Sequence, residues 1–259
     1  MSRPRALVTG ASSGIGYEFA RQLATAGYSV IGVARSKDKL QTLVNELDGD
    51  GHEYLVADLS SAAGQQAVCD KIGEQHLDLL VNNAGLTSFD PFYSSPAEKQ
   101  HALFAVDCES VVKLSHAFLK QSHTGDALVN VSSVVGFLPT PAQAIYSGSK
   151  AFSIAFSECL HEEHRKRGVY VMALCPGLTR TEFITNATGG EADGSNMPES
   201  MFQSTEAVVS EAMQGLKRRG KAVLVTGWVN RLMLLLPRVL TRHRLLKILA
   251  VMGDPEKQL

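Results

Sequence analysis

Short apolar runs rich in valine, leucine and isoleucine recur along the chain: Ala6–Thr9, Ser29–Ala34, Glu53–Ala57, Leu77–Val81, Ala127–Val131, Val169–Leu174 and Ala222–Thr226. They do not alternate apolar with polar positions, which is the pattern of strands buried on both faces of a parallel sheet. The stretches between them carry apolar residues at helical spacing. Ala20, Leu23 and Ala24 repeat in this way before Gly27, a residue suited to a left-handed C-terminal cap. Ser204–Arg219 behaves likewise: acids early and bases late complement a helix dipole, and Gly220 follows as the capping glycine.

Strand and helix alternate over about seven units with no internal repeat, so the fold class is α/β: one doubly wound, Rossmann-type parallel sheet of about seven strands with helices on both faces. Such sheets hold ligands at the carboxyl ends of their strands, near the point where strand order reverses. The chemistry is therefore expected in the loops that follow strands. No linker divides the chain, so residues 1–259 read as a single domain. Its longest turn-rich stretch, Thr185–Pro198, contains Gly189, Gly190 and Gly194 and predicts a substrate flap over 185–204.

Composition narrows the function. With 25 Lys/Arg against 26 Asp/Glu and a net charge of −1, the chain lacks the positive excess of a nucleic-acid binder. Hydrophobic residues at 44% and charged residues at 20% describe a globular chain. Cys69, Cys108, Cys159 and Cys175 are scattered and form no CxxC pair, so they read as buried thiols of a reducing compartment. The opening Met-Ser-Arg-Pro-Arg lacks the features of a signal peptide, and a cytoplasmic location is expected. The sequon Asn186-Ala187-Thr188 then has no significance. His161-Glu162-Glu163-His164 lacks HExxH spacing and reads as a solvated helix end; no metal is expected.

Charge is uneven along the chain, since residues 212–253 hold nine Lys/Arg and no acid. Within them, 228–252 combines Leu232, Leu234–Leu236, Leu245, Leu246, Ile248 and Leu249 with Arg238, Arg242, Arg244 and Lys247. Bases interrupt this segment too often for a spanning helix. Three readings stay open: packing against the domain and a neighbouring subunit, covering a hydrophobic substrate whose anionic handle (CoA or a carrier protein's phosphopantetheine) meets the bases, or peripheral contact with anionic lipid.

The first strand runs directly into Thr9-Gly10-Ala11-Ser12-Ser13-Gly14-Ile15-Gly16 and a helix. Glycines there leave room for a tight turn and for phosphate oxygens, while the helix N-terminus offers N–H donors and partial positive charge. The second strand ends at Ala34 without the acid that would bind a ribose 2′-hydroxyl, and Arg35-Ser36-Lys37 follows. Arg35 has the forked donors for a 2′-phosphate, so NADP is expected over NAD. Further along, Tyr146 and Lys150 stand four apart, on one face of a helix. A free phenol, with a pKa near 10, is a poor acid or base at neutral pH unless a cation stabilises its phenolate, and Lys150 is placed to do so. Ser133, after a buried strand, is placed to hydrogen-bond a substrate carbonyl.

TGASSGIG at 9–16, Asp58-Leu59, Asn82-Asn83-Ala84-Gly85, Ser133, Tyr146 with Lys150, and Pro176-Gly177 with Thr181 together resemble the short-chain dehydrogenase/reductase family over nearly the full length. The resemblance implies that Gly10, Ser12, Ser13, Gly14 and Ile15 border the cofactor pyrophosphate. It places Asp58 and Leu59 by the adenine, Asn83, Ala84 and Gly85 by the adenosine ribose, and Pro176, Gly177 and Thr181 at the nicotinamide end. Ser133 would polarise the carbonyl, Tyr146 would be the general acid or base, and Lys150 would hold the nicotinamide ribose and lower the tyrosine pKa. One position departs: Asp107 stands where the family has an asparagine whose backbone carbonyl holds a relay water. If only that carbonyl acts, aspartate suffices, and the relay is expected to survive. If the carboxylate points at Lys150, its charge works against a phenolate.

The reading these features support is an NADPH-dependent reductase of a ketone, or in reverse an NADP-dependent dehydrogenase of a secondary alcohol. Phe89, Phe92, Phe137, Leu138, Ala142, Leu178, Phe183 and Met197 lie in loops near strand ends, so an apolar ketone or acyl substrate is expected. The resemblance also implies a homo-oligomer built partly from the helices carrying Asp107 and Tyr146. Two rivals stand beside it: an epimerase or dehydratase using the same cofactor, and an NADP-binding regulatory protein that has lost turnover, for which Asp107 is the motive.

Overall fold

The structure, a computed structural model, describes residues 3–181, 183, 185 and 202–252. Strands β1 (Arg5–Thr9), β2 (Ser29–Ala34), β3 (Glu53–Val56), β4 (Leu79–Asn82), β5 (Ala127–Val131), β6 (Tyr170–Cys175) and β7 (Val223–Val225) form one sheet in the order β3-β2-β1-β4-β5-β6-β7. Each adjacent pair is parallel. The chain order reverses between β1 and β4, where Val8 is registered on Val81. That seam is where a crevice opens outside the strand ends.

Successive residues of one strand point to opposite faces, and each face has its own helical cover. Ala6, Val8, Val30, Leu79, Val81 and Met172 pack with Phe19 and Leu23 of α1 (Gly14–Thr25), Leu40 and Leu43 of α2 (Lys37–Glu46), and Val208 and Ala212 of a later helix. Leu7, Ile31, Leu80, Leu128 and Val171 pack instead with Val68 and Ile72 of α3 (Ala62–Glu74) and with Leu114 and Phe118 of a central helix. This two-sided burial is why the central strands read as unbroken apolar runs. The edge strands β3 and β7 are only partly buried.

The central helix has two parts, α4 (Ala97–Phe104) and α5 (Ser110–Gln121), joined by a wide π turn, Ala105–Glu109. Gln65, buried on α3, donates its amide to the Ala105 carbonyl at 3.2 Å and so satisfies one backbone group of that turn. π turns recur at functional positions, and this one carries Asp107. Helix α6 (Ala144–Arg165) follows β5 and a short 3-10 turn, Val134–Phe137.

Helix α1 ends as the sequence predicts: Gly27, at φ 92, lets its N–H reach Ala24 while Tyr28 N–H reaches Leu23. Helix α7 (Thr205–Arg218) differs at its end. Ser204 caps its start, but the left-handed residue at its end is Arg219, at φ 49, and not Gly220. Beyond β7 lie α8 (Trp228–Met233), α9 (Leu236–Val239) and α10 (Arg242–Met252). No helix among the described residues is long and apolar enough to cross a membrane. Of the four cysteines, all free, only Cys108 and Cys175 are buried, whereas Cys159 is exposed because it falls on the outer face of α6.

Candidate active site

The glycine loop at the carboxyl end of β1 is shaped by close packing as much as by its openness. Gly10, at φ 66, sits so close to the next loop that a Cβ would lie 2.8 Å from Asn83 Nδ2 and 2.9 Å from Ala84 Cα. A Cβ on Gly16 would fall 2.3 Å from the Gly10 carbonyl oxygen. Thr9 ties the seam together, its hydroxyl accepting the N–H groups of Asn83 and Ala84 at 2.9 and 3.0 Å. Asn83 returns a bond to the Thr9 carbonyl at 2.8 Å. Above this seam, Ser12, Ser13 and Gly14 stand half-exposed, while Ile15 packs partly into the core. Helix α1 has no side-chain cap and no acid in its first turn, so its amino end offers unshared N–H groups and partial positive charge. A dinucleotide pyrophosphate fits this cradle.

The other predicted cofactor residues ring the same edge. Arg35 is exposed directly beyond β2, near enough for its charge to help hold the Asp58 carboxyl below the usual carboxylate range, after the stronger effect of the Ser60 N–H. Leu59 is buried behind Asp58. Thr181 reaches across to the glycine loop, where a Cβ on Gly14 would lie 2.9 Å from its methyl group. The Pro176 carbonyl accepts the Val134 N–H at 2.9 Å and thereby joins the loops after β5 and β6. Gly177 is covered by Asn230 of α8, 2.4 Å from where a Cβ would be.

Ser133, Tyr146 and Lys150 converge, buried, beside these loops, with exposures of 8%, 8% and 5%. Lys150 Nζ lies 5.4 Å from the centre of the Tyr146 ring. It also lies 2.9 Å from Asp107 Oδ2, in an ion pair whose side chains are 7% and 0% exposed. Asp107 Oδ1 accepts the Leu86 N–H at 2.8 Å, and Gly85 packs over the pair, a Cβ there lying 3.3 Å from Lys150 Nζ. The carboxylate therefore does point at the lysine.

The electrostatics follow from that contact. Burial alone would lower the Lys150 pKa, but the Asp107 carboxylate, and secondarily Tyr146, raise it, so the ammonium persists. The ammonium does act to lower the Tyr146 pKa, as expected, but in the protein by itself that effect is outweighed. Burial raises the phenol above the ordinary tyrosine range and Asp107 adds to the rise, while Lys150 and the Ser133 hydroxyl oppose it.

A shallow cleft beside Tyr146 is lined by Phe92, Leu103 and Ile145 but also by Ser88, Asp90 and Gln143. Its lining is thus mixed rather than mostly apolar. Ala142 borders it in the left-handed region at φ 61, a strained backbone of the kind found at functional sites. Phe183 stands over the phenol, ring centres 6.0 Å apart, and Phe89 and Phe92 are exposed. Leu138 is buried and takes no part in an open surface. Most of the 185–204 flap, Met197 included, lies outside the described residues; at its far end Gln203 N–H bonds the Leu178 carbonyl at 2.9 Å.

Sequence reasoning missed the buried polar ladder that supports the site. Asn82 donates to Asn130 at 2.9 Å and to Ser115 at 3.1 Å, Asn130 to Ser157 at 3.0 Å, and Ser132 to the Lys150 carbonyl at 2.8 Å. Polar residues within otherwise apolar runs, such as Asn130, were the available signal. His76, His123 and Asp126 come within 4.8 Å of one another at the opposite, amino edge of the sheet. There the Asp126 carboxylate accepts the backbone N–H of His123 at 2.6 Å.

A parallel sheet with this strand order, a glycine cradle at its switch point and a buried serine, tyrosine and lysine beside it define a nicotinamide-dinucleotide oxidoreductase. The chain belongs to the short-chain dehydrogenase/reductase family, whose sequence pattern, short chain dehydrogenase, matches residues 4–192. It is 32% identical over 212 residues to sulfoacetaldehyde reductase 2 of Chromohalobacter salexigens, covering 79% of this chain and 83% of that protein. Among solved structures it is similar to a short-chain dehydrogenase from Sphingobium yanoikuyae in complex with NADPH, at 34% identity, TM-score 0.81 and coverage of 90% and 92% of the two chains. It also shares its fold with a short chain dehydrogenase/reductase from Burkholderia phymatum in complex with NAD, at 23% identity, TM-score 0.79 and coverage of 92% and 93%. The fold thus accepts either nicotinamide dinucleotide.

Proposed function

We propose that the protein is an NADPH-dependent carbonyl reductase acting on a ketone, or in reverse on a secondary alcohol. The observation that carries this reading is the convergence of Ser133, Tyr146 and Lys150, each less than a tenth exposed, beside the glycine cradle. The amino end of α1 with Gly10, Ser12, Ser13, Gly14 and Ile15 would hold the pyrophosphate. Arg35 would hold a 2′-phosphate, and this residue is the basis for preferring NADPH. The bound cofactor supplies the hydride. Tyr146 gives its phenolic proton to the carbonyl oxygen in reduction and accepts one from the alcohol in oxidation. Ser133 donates a hydrogen bond to the same oxygen and stabilises the charge that builds there. Lys150, held charged, anchors the ribose and orients the phenol.

Exposed Phe89 and Phe92 and the contact of Phe183 with Tyr146 favour a substrate with an apolar body; Ser88 and Asp90 add polar groups to the cleft lining. Exposed Phe104, Val112 and Phe152, on α4, α5 and α6, favour pairing of copies through those helices, which size-exclusion chromatography checks. The packing of Asn230 on Gly177 favours the reading in which 228–252 folds against the domain.

A ketone panel followed by loss of NADPH absorbance tests the proposal. Turnover should fall about 10²–10⁴-fold in Tyr146→Phe. NADPH binding without turnover would instead favour the regulatory protein, and product formation without net NADPH consumption would favour an epimerase or dehydratase.

A further inference from the structure

The buried carboxylate of Asp107 is more than the catalytic reading requires. Tyr146 and Lys150 share one face of α6, so an isolated ammonium there would attract negative charge onto the phenol. Asp107 reaches that ammonium from the π turn and cancels it. Its Oδ2 is 2.9 Å from Lys150 Nζ, its side chain is fully buried, and its Oδ1 is fixed by the Leu86 N–H at 2.8 Å. Resting on the carbonyl-reductase reading, we infer that Asp107 is a positioning residue that neutralises the field of Lys150, keeps Tyr146 in its proton-carrying form and sets the enzyme to carbonyl reduction.

The charge balance is simple. With Asp107 ionised, as the ammonium 2.9 Å away and the Leu86 N–H favour against the opposing effect of burial, the lysine–aspartate pair has no net charge, and ionising the phenol puts a lone negative charge into a buried site. Without the carboxylate, the same ionisation would form a neutral lysine–phenolate pair. Among the described residues, the other charged group lining the phenol's cleft is Asp90, whose carboxylate is already paired with the Lys99 ammonium at 2.7 Å. The Ser133 hydroxyl is neutral, and the neighbouring thiols of Cys108 and Cys175 are pushed by burial to about 11 and about 12 and so stay protonated. Reduction needs a phenol that gives up a proton, and oxidation needs a phenolate that takes one. The overall equilibrium between ketone and alcohol is untouched; the resting protonation state is ready for one direction.

Ultraviolet titration of tyrosinate in the cofactor-free protein tests this directly, with Tyr146→Phe subtracted to isolate the one phenol. In the wild type Tyr146 should ionise after the exposed tyrosines. In Asp107→Asn, which keeps the shape, it should ionise at a pH lower by about one unit or more. The pH profiles of the holoenzyme in both directions should shift together, with the onset of oxidation and the alkaline loss of reduction both at lower pH in Asp107→Asn. The inference is overturned if a folded Asp107→Asn, checked by circular dichroism, titrates Tyr146 with the wild type. Should that variant not fold, the wild type alone decides: ionisation of Tyr146 at or before the exposed tyrosines overturns the inference. Retained turnover in Tyr146→Phe would sink the carbonyl-reductase reading itself, whereas loss of turnover there with an unmoved titration in Asp107→Asn sinks only the role given to Asp107.

Discussion

Replacing Lys150 with methionine removes one half of an ion pair whose other half has no access to water. The Asp107 side chain is 0% exposed, and once the ammonium 2.9 Å away is gone the Leu86 N–H and a long contact from the Ser149 hydroxyl, at 3.4 Å, are what remain to it among the described residues. Breaking such a pair from one side costs about 3–5 kcal/mol, because the remaining charge is stranded. For a chain of this size that corresponds to a fall in Tm of roughly 6–20 °C. The loss must also depend on pH. Burial already raises the Asp107 pKa against the pull of Lys150, and without Lys150 the folded-state value rises further above that of the unfolded chain. A group with a raised folded-state pKa carries no penalty while protonated in both states, below about pH 4. The penalty then grows by about 1.4 kcal/mol per pH unit until the folded-state pKa is passed. Thermal denaturation of the wild type, Lys150→Met and the double variant Asp107→Asn/Lys150→Met at pH 5 and pH 8 checks this. The single variant should be much weaker at pH 8 than at pH 5 relative to wild type, and the double variant should recover most of the loss. If Lys150→Met melts with the wild type at pH 8, or the double variant is no more stable than the single one, the buried ion pair is not what the geometry says.

Other outcomes follow from separate parts of the molecule. Arg35→Ala should raise the KM for NADPH about 10–100-fold, the worth of a charge-assisted hydrogen bond, and leave the KM for NADH nearly unchanged; steady-state kinetics with both cofactors measure it. Gly16→Ala, whose Cβ would fall 2.3 Å from a backbone carbonyl, should lower both Tm and cofactor affinity. Gly73→Ala, in α3 with nothing within 4 Å, should stabilise by about 0.5–1 kcal/mol in the same melting assay. Exposed Cys159 should react first with a disulfide reagent, while the buried Cys108 and Cys175 thiols, held near 11 and 12, should react only on unfolding.

Much of the fold was legible because its signals are local. The apolar runs mark the strands to within about two residues at each end, since a strand covered on both faces is mostly apolar, and the few polar side chains it carries, such as Asn130, are paired with one another inside. Gly27 marks the end of α1 because a backbone with positive φ favours glycine wherever it occurs. The end of α7 was misread for the converse reason: Arg219 takes up the left-handed conformation while its guanidinium reaches the Gly125 carbonyl, a contact across the sheet's amino edge that no local pattern announces.

The sequence by itself determined which side chains can do chemistry here. The spacing of Tyr146 and Lys150 follows from the helical period, and the glycine loop follows from its place between a strand and a helix. Only the tertiary structure decided what those groups are worth electrically. Asp107 is far from Lys150 along the chain, and whether its carboxylate faces the lysine or turns away is set by the π turn and the packing of Gly85. In a buried site the sign of the net charge within a few ångströms governs where a proton rests, and that sum depends on distances in space that the order of residues does not contain.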